Sequence, residues 1–112
     1  MNRDAQTFHI ASGQPGEESL AKLDGSITID SSPEFRRVLM RMLKAPDSRR
    51  VTLDFSEVDY IDTSGLAVLI EGLRSARQLG KTLQLTGLRE RPRYLLESTG
   101  LLRLFDEAPS KQ

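Results

Sequence analysis

Apolar residues recur along the chain with two different periods, and each period predicts one kind of element. Spacings of three and four residues, which place side chains on one side of a helix, occur twice after residue 31. The first stripe is Phe35, Val38, Leu39, Met42 and Leu43, and the second is Leu66, Leu69, Ile70, Leu73 and Ala76. Alternation of apolar and polar residues over 51–55 predicts a strand, and the segment TLQLTGL predicts another that is apolar on both faces.

Turn and cap residues indicate where these elements begin and end. Ser31 and Glu34 have the spacing of a capping box, and Pro33 suits the first helical turn. Pro46 cannot continue the first helix, and Gly80 is expected to cap the end of the second.

The remaining segments complete an alternating order. TFHIA and SLAKLDG flank a turn rich in Gly and Pro and predict a hairpin, while RPRYLLES and GLLRLF predict two short helices. Strands, helix, strand, helix, strand and helix follow one another along the chain. This order predicts an α/β fold with a mostly parallel central sheet of about four to five strands and helices packed on it.

Length and charge exclude several classes of function. The 112 residues suit a single domain over 1–112, with flexible ends expected at 1–6 and 107–112. Sixteen basic and sixteen acidic residues give no net charge, which argues against binding to nucleic acid. The chain has no cysteine and no window of 18 apolar residues, so we expect a cytoplasmic domain without direct membrane insertion.

The segment YIDTSGL, at residues 60–66, carries the strongest candidate chemistry. A nucleophilic hydroxyl needs a base, and the chain has one histidine, His9, in the N-terminal segment. The Gly-x-Ser-x-Gly elbow is absent because Asp62 stands two residues before Ser64. We therefore expect no enzyme activity and no cofactor.

A run of acidic residues leads into the same segment. Its members are Asp54, Glu57, Asp59 and Asp62. The run lacks histidine ligands and the spacing of a calcium-binding loop, so a metal site is disfavoured.

The motif has two readings that the residues alone leave open. Asp62, Thr63 and Ser64 are all preferred helix N-cap residues, and Gly65 allows the chain to turn. A cap, however, accounts for only one of these polar side chains. The carboxyl ends of strands in open α/β sheets are also where ligands and partners bind, so a functional site is equally favoured.

The segment VTLDFSEVDYIDTSGLAVLIEGLRSARQLGKTLQLTG resembles the STAS domain of bacterial anti-sigma factor antagonists. In that family a strand similar to VTLDFSEV leads into Asp-Ser-Ser-Gly-Leu or a close variant, and a helix follows. LDGSITIDSSPEFRRVL and LLESTGLLRLF extend the resemblance to about residues 20–105. The resemblance implies a STAS-like sandwich that comprises nearly the whole chain.

The resemblance also implies a phosphorylation site and its partners. Thr63, directly after the motif Asp62, corresponds to the phosphoacceptor of the family, where the best-known members have Ser. The implied partner is a serine/threonine kinase that acts as an anti-sigma factor, and a phosphatase restores the complex that phosphorylation breaks. The implied partner-binding residues are Thr28, Asp62, Thr63, Ser64, Gly65 and Leu66. The family often has an acidic residue at the position of Thr28.

Other roles stay open at this point. Some STAS proteins are never phosphorylated and serve as scaffolds or as small subunits of lipid transporters. A weak homodimer is compatible with the sequence. The basic cluster RERPR at 89–93 is interpreted as a solvated helix start, with a partner contact as the alternative.

Overall fold

The computed structural model describes residues 18–107, which form a four-stranded sheet with helices packed on it. The strands β1 (Glu18–Ile27), β2 (Arg50–Ile61), β3 (Thr82–Thr86) and β4 (Asp106–Glu107) lie across the sheet in chain order. Each pairs in parallel with the next, which agrees with the predicted parallel sheet. The first strand of the expected hairpin, His9, and the expected flexible ends other than residue 107 lie outside the described residues.

Parallel neighbours need crossover connections, and helices supply them here. Helix α1 (Ser32–Lys44) joins β1 to β2, and α2 (Thr63–Leu79) joins β2 to β3. Helix α3 (Glu90–Ser98) and a single 3-10 turn at Leu102–Leu104 lie between β3 and β4. The two short C-terminal helices expected from the sequence are therefore one α-helix and one 3-10 turn.

Strand β2 is longer than the predicted strand over 51–55 because its apolar residues continue to be buried beyond that segment. Val58 and Ile61 are both in the core, and pairing with β1 extends to Ile61. The register between β1 and β2 shifts near Gly25, whose φ of 104° is accessible to glycine.

The helical stripes agree with the prediction except at one position. Phe35, Leu39 and Leu43 of α1 are buried in the core. In α2 the buried residues are Gly65, Leu66, Val68, Leu69, Gly72 and Ala76. Ile70 was expected in this stripe, but 40% of it is exposed. The prediction was wrong at this position because the buried side of α2 also includes Gly65, Val68 and Gly72, which leaves Ile70 at its edge.

The helix ends match the prediction in one case and differ in another. Gly80 caps α2 in a left-handed conformation with φ 71°, as expected. The predicted capping box at α1 does not form: the Ser31 hydroxyl donates to the Ser26 carbonyl at 2.9 Å, and Glu34 pairs with Arg37.

Candidate functional site

The YIDTSGL motif lies at the carboxyl edge of the sheet, where β2 passes directly into α2. Asp62 is the N-cap, and Thr63 is already the first residue of the helix. The Asp62 amide donates to the Ile27 carbonyl at 3.0 Å, which ties the motif to the end of β1. The motif therefore forms the first turn of α2, and the β1–α1 loop, residues 28–31, lies beside it.

The Asp62 carboxylate holds two chain segments together. Its Oδ1 accepts hydrogen bonds from the Ser64 amide at 2.9 Å, the Ser64 hydroxyl at 2.6 Å and the Gly65 amide at 3.2 Å. Its Oδ2 accepts from the Ile29 amide at 3.2 Å, across 33 residues of sequence. One side chain thus caps α2 and fixes the β1–α1 loop.

These bonds determine the charge of the site. Desolvation by burial raises the pKa of the Asp62 carboxyl, but hydrogen bonds from Ser64, Gly65 and Ile29 together outweigh it. The pKa of Asp62 therefore lies below its ordinary value, and the site carries a negative charge at neutral pH.

The two hydroxyl residues of the motif have different environments. Ser64 is half-buried, and its hydroxyl is used in the bond to Asp62. Thr63 is exposed, and its hydroxyl forms no hydrogen bond with any residue in the range 18–107. Thr63 is therefore the more accessible of the two to an external reactant.

Gly65 is required for close packing and not for a turn. A Cβ at Gly65 would lie 2.6 Å from Ile61 Cγ1 and 2.8 Å from Ile27 Cγ2. Leu66, with 6% exposed, also lies beneath the surface. Of the six residues implied as partner-binding, Gly65 and Leu66 shape the surface from below. The four with exposed or partly exposed side chains are Thr28, Asp62, Thr63 and Ser64.

The β1–α1 loop is tied down by its own hydroxyl residues. The Thr28 amide donates to the Ser31 hydroxyl at 3.0 Å, and the Asp30 amide donates to the Thr28 hydroxyl at 3.2 Å. This fixed loop presents Ile29 with 71% of its surface exposed. Sequence reasoning missed Ile29, although an apolar residue within the polar turn TIDSS was the available signal.

The basic cluster at 89–93 forms the start of α3, as the sequence predicted. The Arg91 guanidinium lies over the Tyr60 ring at 5.1 Å, within the range of a cation–π contact. A cleft of about 550 Å³ lies here, next to the motif. Its lining residues are Tyr60, Ile61, Glu90, Arg91, Arg93, Tyr94 and Glu97.

The described residues contain neither a cluster of metal ligands nor a membrane-spanning helix. Over 18–107 no group of three or more His, Cys, Asp or Glu side chains is placed to hold a metal ion. No helix in this part of the chain is long and apolar enough to cross a membrane.

The chain and its fold have clear counterparts among known proteins. Residues 10–106 match the family model described as "Mlab, STAS domain". The chain belongs to the STAS domain family. This STAS domain is 30% identical over 84 residues to anti-sigma-B factor antagonists of Staphylococcus epidermidis and Staphylococcus aureus. The match covers 75% of this chain and 77% of those relatives.

Solved structures show the same STAS fold at lower identity. An anti-sigma factor antagonist from Thermotoga maritima, described as putative, superposes with a TM-score of 0.80 at 19% identity, over 91% of this chain and 87% of that one. The Bacillus cell fate determinant SpoIIAA in its phosphorylated form gives 0.70 at 14% identity, over 94% of each chain. The predicted STAS-like fold is thus confirmed.

Proposed function

We propose that this STAS domain is an anti-sigma factor antagonist that is regulated by phosphorylation of Thr63. Its partner is a serine/threonine kinase that also acts as an anti-sigma factor, and a phosphatase reverses the modification. The observation that carries the proposal is an exposed Thr63 hydroxyl directly after the capping Asp62. This arrangement of Asp62 and Thr63 occurs in a chain that is 30% identical over 84 residues to anti-sigma-B factor antagonists.

The environments of the two hydroxyls support Thr63 over Ser64 as the acceptor. A kinase must bring the hydroxyl to the γ-phosphate of ATP and remove its proton. The Ser64 hydroxyl would first have to give up its 2.6 Å bond to Asp62 and emerge from a half-buried position. Thr63 is exposed and requires neither change.

Incubation with the purified anti-sigma factor kinase of the same organism and ATP tests the proposal by intact-mass spectrometry. We expect a mass gain of one phosphate, mapped by fragmentation to Thr63. Thr63→Ala should abolish the gain, and Thr63→Ser should retain it. Ser64→Ala is the matched control and should still be modified. Modification of Ser64, or of no residue, would contradict the proposal.

Binding to the same kinase provides the second test. Thr63→Glu should weaken the complex because it places a carboxylate beside Asp62 in the interface. Thr63→Ala should bind constitutively in the presence of ATP. If Thr63→Glu bound as tightly as the wild type, phosphorylation would not be the switch. A stable complex of unmodified protein with a membrane ATPase would instead indicate a constitutive transporter subunit.

A further inference from the structure

Two exposed apolar side chains flank the proposed phosphorylation site. Ile29 is 71% exposed in the β1–α1 loop, and its amide is bonded to Asp62, the residue before Thr63. Ile70 is 40% exposed in α2, seven residues after Thr63. Seven residues are nearly two turns, so Ile70 lies on the same side of α2 as Thr63 and about 10 Å along the axis.

We propose that Ile29 is an apolar anchor for the anti-sigma factor and that Asp62 is its positioning residue. The inference rests on the proposed function and specifies how the same surface binds its partner. Together, Ile29, Thr63 and Ile70 form what we call the anchor surface. Thr63 lies within the anchor surface. A phosphate on Thr63 would therefore add charge between two side chains that offer apolar contacts to the partner.

The rigidity of the loop supports a binding role for Ile29. A single exposed apolar residue needs no explanation by itself. Ile29, however, lies in a loop held by bonds from Thr28 to Ser31 and from its own amide to Asp62 Oδ2. A side chain on a fixed backbone loses little conformational entropy on binding, so its apolar area contributes more to affinity.

Charged residues follow the anchor surface along α2. Glu71, the residue after Ile70, forms a bidentate ion pair with Arg36 of α1, with distances of 2.8 and 2.6 Å. Charged groups around an apolar centre are typical of interfaces between proteins. The occupant we infer is the folded surface of the anti-sigma factor, with an apolar recess that receives Ile29.

Affinity measurements on the full chain test the anchor. We expect Ile29→Ala to weaken binding to the purified anti-sigma factor kinase about tenfold or more, which corresponds to ~1.4 kcal/mol. Ile29→Leu should retain most of the affinity because it keeps the apolar volume. The control is Leu79→Ala, which removes a side chain that is 46% exposed and lies about 24 Å along α2 from Thr63. It should bind as the wild type does.

The outcomes separate the anchor from the proposed function. If the wild type binds the kinase and is phosphorylated, but Ile29→Ala binds equally well, Ile29 is not an anchor. The proposed function is then unaffected. A loss of affinity as large in Leu79→Ala would likewise overturn the anchor. If the wild type neither binds nor is phosphorylated, both proposals fall.

The positioning role of Asp62 has a test that needs no partner. The Ile29 amide proton should shift in the NMR spectrum as acid protonates the Asp62 carboxylate, and this shift should vanish in Asp62→Asn. In binding, Ile29→Ala should cost less in the Asp62→Asn background than in the wild type, because the two residues act through one contact. The positioning role would be refuted if the chemical shift of the Ile29 amide did not change as Asp62 titrates. It would also be refuted if the affinity losses of Ile29→Ala and Asp62→Asn were fully additive.

Discussion

Removal of the Asp62 side chain should lower stability by an amount that its hydrogen bonds allow us to work out. Replacement of an N-cap aspartate by alanine costs about 1 kcal/mol, within a range of about 0.5–2. The further bond from the Ile29 amide, at 3.2 Å and near the surface, adds about 0.5 kcal/mol. We therefore expect Asp62→Ala to lose about 1.5 kcal/mol of unfolding free energy, within a range of about 1–2.5. For a domain of this size that corresponds to a fall in Tm on the order of 10 °C.

Asp62→Asn separates the two parts of this loss. Asparagine caps helices about as well as aspartate, so the bonds to the Ser64 and Gly65 amides should persist. Its amide nitrogen would replace Oδ2 and cannot accept from the Ile29 amide. Only the smaller term of about 0.5 kcal/mol is then lost.

The assay is urea unfolding followed by circular dichroism at several pH values. The pKa of Asp62 is lowered in the folded state, so its stabilising effect is present above the unfolded pKa, about 3.9. The effect is lost as pH falls through the folded pKa. The advantage of the wild type over Asp62→Asn should therefore hold at pH 7 and shrink below about pH 4. Equal unfolding midpoints for wild type and Asp62→Ala at pH 7 would refute the reasoning.

Three further predictions concern the same helix. Gly65→Ala should lose about 1–3 kcal/mol in urea unfolding, since its Cβ would clash with Ile27 Cγ2, which is fixed on a stiff branched side chain. Gly72→Ala should cost much less in the same assay. Its Cβ would meet the terminal Cδ2 of Leu39 at 2.6 Å, a contact that rotation of the Leu39 side chain can relieve, and alanine favours the helix by about 1 kcal/mol. Thr63→Glu should keep the wild-type Tm to within a few degrees in thermal unfolding, because an exposed anion near a helix N-terminus is slightly stabilising.

The sequence predicted the order of elements because each element carries its own local signal. The stripe from Phe35 to Leu43 and the alternation over 51–55 do not depend on distant residues, and both correspond to elements of the structure. Gly80 as a C-cap is equally local, since its left-handed conformation follows from its lack of a side chain.

What the sequence did not predict depends on contacts between distant segments. The bond from Ile29 to Asp62 spans 33 residues and exists because β1 and β2 end side by side. The close approach of Gly65 to Ile27 has the same origin, and so does the packing that leaves Ile70 at the edge of the buried side of α2. Spacing along one helix cannot reveal which side of it meets the sheet.

The occupied amides of the first turn explain how a phosphate at Thr63 could switch binding without refolding the domain. Asp62 Oδ1 already accepts from the Ser64 and Gly65 amides, so a phosphate at Thr63 finds few free donors at the helix end. It would add about −1.5 to −2 charge beside a carboxylate that is ionised at neutral pH. A partner that covered this pair would face like-charge and desolvation costs of several kcal/mol, and each ~1.4 kcal/mol is a factor of ten in affinity. Exposed to water, the same charges are solvated and favoured by the helix dipole. We therefore expect the domain to tolerate the phosphate and the proposed interface to exclude it.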